Sequence, residues 1–223
     1  MRGKPPEFFY LSKVPSSAAN EAFEFHQRIA SGDERIWPRT IREICEYAQS
    51  GLLFGVRLGQ SGPFVALCYV ALGPEEREFE FGGLTVIDSY RKLGIGTILA
   101  SFALAHAMVY ERPWQYNQHV IAHVHEANND PRRLLARLGF EFISKVEIPG
   151  DTAPPSMKRN AEGKVVGDKF RFTYEGLRRL SAWFDKEFNG TLLGGAEVMI
   201  DLGHATLDEL KQSLRDLVAS LPA

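Results

Sequence analysis

Residues 82–97 read Gly82-Gly83-Leu84-Thr85-Val86-Ile87-Asp88-Ser89-Tyr90-Arg91-Lys92-Leu93-Gly94-Ile95-Gly96-Thr97. This is the pattern of a β-strand that runs into a glycine-containing turn and then into a helix, predicted over residues 95–109. In such a turn the backbone N–H groups of residues 92–97 lack partners, and the helix N-terminus behind them carries partial positive charge. Glycines at 94 and 96 let the backbone approach a ligand closely, and Arg91 adds a cation. The turn therefore predicts a site for the phosphates of an anionic ligand.

A second motif follows at residues 128–140, which read Asn128-Asn129-Asp130-Pro131-Arg132-Arg133-Leu134-Leu135-Ala136-Arg137-Leu138-Gly139-Phe140. It predicts a helix over residues 130–138 with Asp130 as its cap and Pro131 in its first turn. The strand end Leu84-Thr85-Val86 and the spacing Arg91-x-x-Gly94-x-Gly96 precede it in the chain. Together these motifs resemble the acyl-CoA-binding signature of the GNAT superfamily of N-acyltransferases, over about residues 20–145.

The resemblance implies an α/β (α+β) fold in which helices flank a mixed, mostly antiparallel sheet. In this family the strand before the turn is splayed from its neighbour to admit the pantetheine arm of CoA, and Gly82-Gly83 inside that strand are typical of a bulge or close backbone approach. Acetyl-CoA is the expected co-substrate, and no metal is expected. The residues that the resemblance assigns to acyl-CoA binding are Leu84, Thr85, Val86, Arg91, Lys92, Leu93, Gly94, Ile95, Gly96, Thr97 and Asn128.

Acyl transfer to an amine needs a base for the ammonium and a proton for the departing thiolate. The resemblance places the base at Glu80, four residues before Leu84, while Glu78 shares its strand face and could substitute for it. Many relatives carry a tyrosine as general acid where this chain has Leu135, which cannot donate a proton. Either the thiolate takes its proton from solvent or another side chain supplies it; the candidates are Tyr90, Tyr116 and the strand histidines.

Three histidines, His119, His123 and His125, alternate along one predicted strand and so share a face. Without an acidic or thiolate partner at an evident spacing they make a weak metal site, so we expect structural histidines or a polar wall of the acceptor pocket. Arg39 lies in the region that shapes the acceptor site in such folds. It is either a bidentate partner for an acceptor carboxylate or a surface charge.

Strand and helix patterns alternate along the chain, and the capping boxes Thr40-x-x-Glu43 and Thr206-x-x-Glu209 open two of the helices. The predicted strands cover residues 8–11, 52–58, 64–72, 78–86, 119–126, 140–148 and 165–173. The other predicted helices cover residues 17–29, 40–48, 174–188 and 206–221.

We expect residues 1–173 to form the acyl-CoA-binding catalytic domain and residues 174–223 to form a C-terminal helical extension. Within the extension, glycine-rich residues 189–195 and a short apolar stretch, 196–202, separate the two helices. The last helix has an apolar face that requires burial, either on the core or at a homodimer contact. Its members are Leu207, Leu210, Leu214, Leu217 and Leu221.

Composition is typical of an intracellular enzyme. The chain has 223 residues and a formal net charge of −2, so no basic excess suggests a nucleic acid partner, and transfer to charged tRNA is disfavoured. Cys45 and Cys68 have no disulfide or metal spacing, and we expect buried free thiols. The N-terminal residues 1–6 do not resemble a signal peptide, and no uncharged apolar stretch reaches membrane-spanning length. A cytoplasmic location is therefore expected.

The predicted activity is transfer of an acetyl or other short acyl group from acyl-CoA to a primary amine of a small molecule or peptide. Direct attack is expected, because neither cysteine belongs to a nucleophile–base arrangement. A non-catalytic regulatory module that binds acyl-CoA is the alternative.

Overall fold

The structure is a computed structural model that describes residues 8–73, 75–148, 150–151, 153–193, 195–201, 203 and 206–221. The N-terminal residues 1–6, Pro149 and Thr152 of the proline-rich loop, and Leu202 of the apolar stretch lie outside the described residues. No helix within the described ranges is both long and apolar enough to cross a membrane.

Eight strands form one sheet in the order β6-β7-β5-β4-β3-β2-β1-β8. Neighbouring strands run antiparallel except for the pairs β4–β5 and β1–β8, which are parallel. The predicted mixed, mostly antiparallel sheet is therefore confirmed. The strands are β1 (Phe8–Lys13), β2 (Leu53–Leu58), β3 (Phe64–Leu72), β4 (Glu78–Val86), β5 (His119–His125), β6 (Phe140–Ile148), β7 (Val165–Phe172) and β8 (Glu197–Asp201).

Within the described residues, six α-helices cover the two faces of the sheet. They are α1 (Ala19–Ala30), α2 (Ile41–Gln49), α3 (Ile95–His106), α4 (Asn129–Leu138), α5 (Tyr174–Lys186) and α6 (Leu207–Ala219). Helices α1 and α2 pack on one face, where Leu53, Leu67 and Tyr69 point toward them. The other four helices pack on the opposite face against alternate residues of the same strands, such as Phe54 and Cys68. The alternation follows from the two-residue period of a β-strand.

Strands β4 and β5 separate soon after they meet. Their parallel pairing covers only Glu78–Glu80 against His119–Ile121. On its other side β4 shifts register against β3 across Gly82-Gly83, and Gly83 has a left-handed φ of +62°. The expected splay and the expected bulge at the paired glycines are both confirmed, and together they open the sheet in its middle.

The helix after the glycine turn is shorter than predicted. Helix α3 ends at His106, and the chain continues as a π-helical turn, Ala107–Glu111, instead of an α-helix to residue 109. Helix α4 starts at Asn129 with Asn128 as its N-cap, so the prediction of Asp130 as the cap was wrong. Helix α2 has the predicted capping box: Thr40 Oγ1 accepts from the Glu43 N–H, and the Glu43 carboxylate accepts from the Thr40 N–H.

The segment after residue 173 is joined to the sheet as well as to the helices. Its apolar stretch forms β8, which extends the sheet beside β1, an element that the sequence patterns did not assign. Leu210 and Leu214 of α6 are fully buried in the main core, together with Leu177 and Phe184 of α5. Of the two free cysteines, Cys68 is buried as expected, whereas Cys45 is only half-buried.

Candidate active site

The glycine turn has the conformation of an anion-binding loop. Gly94 is the N-cap of α3 and has φ of +92°, and Lys92 also lies in the left-handed region with φ of +65°. No hydrogen bond within the described residues is donated by the backbone N–H groups of Lys92, Leu93 or Gly94. These donors and the free N–H groups of the first turn of α3 lie at the positive end of the helix dipole. The turn therefore offers a site for phosphate oxygens.

Two neighbours fix the turn. The Arg91 Nε donates to the Val86 carbonyl at 3.1 Å and lies 3.1 Å from an Asp88 carboxylate oxygen, which holds the arginine beside the turn. The Leu93 carbonyl accepts a hydrogen bond of 3.1 Å from the Leu193 N–H, so the C-terminal segment contacts the turn directly. A Cβ built on Gly96 would lie 3.5 Å from Val86 Cγ2, which shows that Gly96 faces the end of β4.

A cavity of about 770 Å³ passes between β4 and β5. Consecutive residues of both strands line it, including Glu80 and Phe81 on β4 and Ala122 and His123 on β5. Because consecutive strand residues point to opposite faces, the cavity must run through the opening in the sheet. Of the residues predicted to bind acyl-CoA, Leu84 and Asn128 line the cavity, whereas the turn residues 91–97 do not. The Thr85 side chain is buried and does not line the cavity.

Glu80 projects into the cavity from β4 and is surrounded by three polar partners. Its Oε1 lies 3.1 Å from His123 Nδ1, and its Oε2 lies 3.5 Å from both the Arg39 guanidinium and the Tyr69 hydroxyl. Burial raises the pKa of Glu80, but the hydrogen bond from His123 and the positive charge of Arg39 outweigh burial and leave the pKa below its usual value. Glu80 is therefore an ionised carboxylate whose side chain is 14% exposed.

Glu78 differs from Glu80 in its surroundings. It is buried, its carboxylate forms an ion pair with the Lys169 ammonium, and it does not line the cavity. Its geometry does not favour it as a substitute base.

Arg39 is not free to bind an acceptor. Its NH1 donates to Glu43 at 3.0 Å, and its NH2 donates to the Tyr69 hydroxyl and faces Glu80. Glu43 also caps α2, so the N-terminus of this helix holds the arginine beside Glu80. The geometry favours a positioning role for Arg39 over the recognition of an acceptor carboxylate.

Tyr69 is a site residue that the sequence patterns did not identify. Its ring occupies the space where a Cβ on Gly82 or Gly83 would lie, and the ring of Tyr47 stacks on it at 4.4 Å. The signal in the sequence for this contact is the pair Gly82-Gly83 on β4, which lies opposite the large aromatic Tyr69 on β3. Burial raises the pKa of Tyr69 well above its usual value, so its hydroxyl stays protonated.

The three strand histidines have different surroundings. His119 is exposed, whereas His123 faces Glu80 in the cavity. His125 has both ring nitrogens engaged: Nδ1 accepts from the Ala127 N–H at 3.1 Å, and Nε2 donates to the Lys158 carbonyl at 3.0 Å. His125 is thus a structural histidine. No group of three histidine, cysteine or carboxylate side chains within the described ranges could hold a metal.

Of the candidates for the general acid, the strand histidines His123 and His125 line the cavity, whereas the two tyrosines lie elsewhere. Tyr116 is 73% exposed on a short helical turn, and Tyr90 packs edge-on against Phe9. Neither lines the cavity, whereas Leu135 does. At the position where many relatives carry a tyrosine, this protein therefore has an apolar side chain in the cavity wall.

The loop between β6 and β7 covers the side of the cavity that holds Glu80. Ala153 and Met157 are buried against Trp37, and the Lys158 N–H donates to the Glu34 carbonyl at 2.8 Å. Trp37 and Met157 both line the cavity. The α1–α2 connection and this loop therefore form the wall beside the candidate acceptor site.

Comparisons with known proteins agree with this architecture. An acetyltransferase from Streptococcus pneumoniae, described as a GNAT family member, superposes with a TM-score of 0.54 at 13% identity, covering 73% of this chain and 97% of that one. Ribosomal-protein-S18-alanine N-acetyltransferase from Escherichia coli has a TM-score of 0.50 at 16% identity, with 74% and 93% covered. Diaminobutyrate acetyltransferase from Paenibacillus lautus, solved with L-2,4-diaminobutyric acid and coenzyme A, has a TM-score of 0.54 at 10% identity, with 74% and 94% covered.

At these identities the structural likeness shows the fold alone. Among curated proteins, none matches the chain in sequence. The sequence profile of the acetyltransferase (GNAT) family, however, matches residues 18–140, which is more than half of the chain. The protein therefore belongs to the acetyltransferase (GNAT) family.

Proposed function

We propose that this protein transfers an acetyl or another short acyl group from acyl-CoA to a primary amine of a small molecule or peptide. The observation that carries the proposal is the cavity between β4 and β5, which extends along β4 from an ionised Glu80 to Leu84, a few residues before the glycine turn. A ligand with its phosphates at the turn and its arm along Leu84 would extend into this opening. The acyl group would then lie near Glu80.

Acetyl-CoA supplies an activated thioester, and the residues at the site suit it. The free N–H groups of Lys92, Leu93 and Gly94, with Arg91 beside them, would hold the pyrophosphate. The unpaired inner edge of β4 from Phe81 onward would offer backbone groups to the pantetheine arm, because β5 no longer pairs with it there. Asn128 lines the other wall of the opening.

The reaction needs no covalent enzyme intermediate. The acceptor ammonium loses a proton in the region of Glu80, the free amine attacks the thioester carbon, a C–N bond forms and the C–S bond breaks. Leu135 cannot protonate the leaving thiolate, so this proton comes from solvent that reaches the cavity or from another side chain there, such as His123. The net reaction converts an ammonium and a thioester into an amide, a thiol and one released proton.

A direct test is the release of free CoA from acetyl-CoA in the presence of a panel of amines, amino acids and short peptides, with mass spectrometry of the products. We expect CoA release that depends on one class of amine and equals the amount of acetylated product. Tight binding of acetyl-CoA without turnover for any acceptor would instead favour the alternative, a regulatory module that binds acyl-CoA.

A further inference from the structure

We infer that His123 takes the proton from the acceptor amine and that Glu80 is the positioning residue that holds its imidazole. This inference rests on the proposed function and changes the role of Glu80 within it. It follows from the geometry of the pair, from the charges around Glu80 and from the place of His123 in the sheet.

The contact between the two residues defines the tautomer of the imidazole. His123 Nδ1 lies 3.1 Å from Glu80 Oε1. Because Glu80 is ionised, its oxygen accepts, and Nδ1 must carry the hydrogen. In the neutral imidazole the lone pair is then on Nε2, for which the described residues provide no hydrogen-bond partner. The His123 side chain is 27% exposed and lines the cavity, so Nε2 is accessible to a ligand there.

Glu80 itself is poorly suited to accept a proton. Both of its oxygens are already engaged, one by His123 and the other by Arg39 and Tyr69. These partners favour the charged form and hold the pKa of Glu80 below its usual value, which makes the carboxylate a weaker base. A carboxylate that accepts from Nδ1–H is instead the usual device that orients an imidazole base and stabilises it once protonated.

His123 also lies where the reaction should occur. The β4–β5 pairing ends at Glu80 and Ile121, and His123 is the next residue of β5 on the same face. It is therefore the first side chain of that face beyond the point where the strands separate. An acyl group that enters through the opening would lie beside Nε2 of His123, while Glu80 lies at the last position where β4 still pairs with β5.

Other charged and titratable groups face this pair from the neighbouring elements. Arg39 approaches from the α1–α2 connection, and Lys169 of β7 is the register partner of His123. The charged and titratable groups that line the cavity with the pair are Arg35, Arg39, Glu43, Tyr47, Tyr69, Glu75, His125 and Lys169, and Glu78 is paired with Lys169 behind them.

The proton balance is complete with these groups. The acceptor ammonium gives one proton to His123 Nε2 and becomes the nucleophile, and the imidazolium remains paired with Glu80. The nitrogen loses a second proton after the C–N bond has formed, and the thiolate takes one when the C–S bond breaks. One proton in total is released to solvent, and no oxidant or further reactant is needed.

The test compares His123→Gln, Glu80→Gln and the matched control His119→Gln in the pH profile of kcat/KM. His119 belongs to the same strand face but is exposed, so its variant should keep wild-type kinetics. We expect His123→Gln to lower kcat/KM by about 10²- to 10⁴-fold and to remove the acid-side limb, while CoA affinity stays within about twofold. Circular dichroism and CoA binding confirm that each variant is folded.

Glu80→Gln separates the two roles. If His123 is the base, the acid-side limb persists in Glu80→Gln, because the imidazole that takes the proton is still present. If Glu80→Gln removes the limb while His123→Gln retains it and most of the activity, Glu80 is the base and the inference is overturned. Absence of amine-dependent turnover in the wild type would overturn the proposed function itself, a result distinct from either variant pattern.

Discussion

The chemistry of the candidate site depends on contacts between a few residues that lie far apart in sequence. Gly82 and Gly83 leave room for the Tyr69 ring, Tyr69 bonds to Glu80, and Arg39 joins both. The missing Cβ atoms of the glycines thus determine where the carboxylate lies. This use of glycine is steric: a larger residue would overlap the ring of Tyr69, which is only 2% exposed.

At this scale we predict that Gly82→Ala destabilises the fold by about 1–3 kcal/mol, because the added Cβ would overlap the buried Tyr69 ring. Urea unfolding measures the loss. Gly96→Ala is the control, since a Cβ there meets its nearest atom, Val86 Cγ2, at an ordinary 3.5 Å. The double variant Gly82→Ala/Tyr69→Leu should recover part of the loss, and strictly additive effects would contradict the steric account.

At the scale of elements, the two connections that determine function are the glycine turn before α3 and the splay of β4 from β5. The glycine turn and the bulge were predictable from local rules, because a positive φ favours glycine at position 94 and paired glycines in a strand mark a bulge. The α2 capping box was predictable for the same reason. The splay was predictable only through the family resemblance. By contrast, β8 has only five residues, and its pairing with β1 is decided by tertiary contact across most of the chain.

Helix α6 provides a test of how the C-terminal segment is held. Leu214 is fully buried, so Leu214→Ala should lower the free energy of unfolding by about 2–5 kcal/mol. Leu217, which is only partly buried on the same helix, serves as the matched control and should lose clearly less. The loss should not depend on protein concentration. A concentration-dependent melting temperature would indicate that the leucine face is instead a contact between two copies.

At the scale of the whole molecule, the sequence allowed the family and the path of most strands to be predicted, but not the partners of the site residues. Glu80 was recognisable from its distance to Leu84, whereas its bonds to His123, Arg39 and Tyr69 join four separate elements. Such contacts depend on strand register and on how a loop crosses the sheet, and neither leaves a local pattern in the chain. For the same reason His123 and His125 were indistinguishable until their neighbours were known.

Global stability should depend on pH through His106. Burial beside Phe54 and Tyr110 lowers the pKa of this histidine to about 3, so the folded state resists its protonation. The unfolded chain takes the proton below about pH 6.5, and stability is lost progressively from there down to about pH 3. By pH 5 the free energy of unfolding has fallen by about 2 kcal/mol through this one histidine. Urea unfolding measures how much the free energy of unfolding falls between pH 7 and pH 5. This fall should be smaller by about 2 kcal/mol in His106→Leu than in the wild type, and an equal fall in both proteins would contradict the assignment.

The central claim is that the glycine turn and the opening in the sheet form one acyl-CoA site. Titration calorimetry of acetyl-CoA into the wild type and Gly96→Val tests it most directly, because Gly96 faces the end of β4 and its helical φ tolerates a side chain. We predict binding near 1:1 to the wild type and an affinity at least about tenfold weaker, or 1.4 kcal/mol, for a Gly96→Val protein that remains folded by circular dichroism. Equal affinity in the two folded proteins, or no binding to either, would contradict the claim.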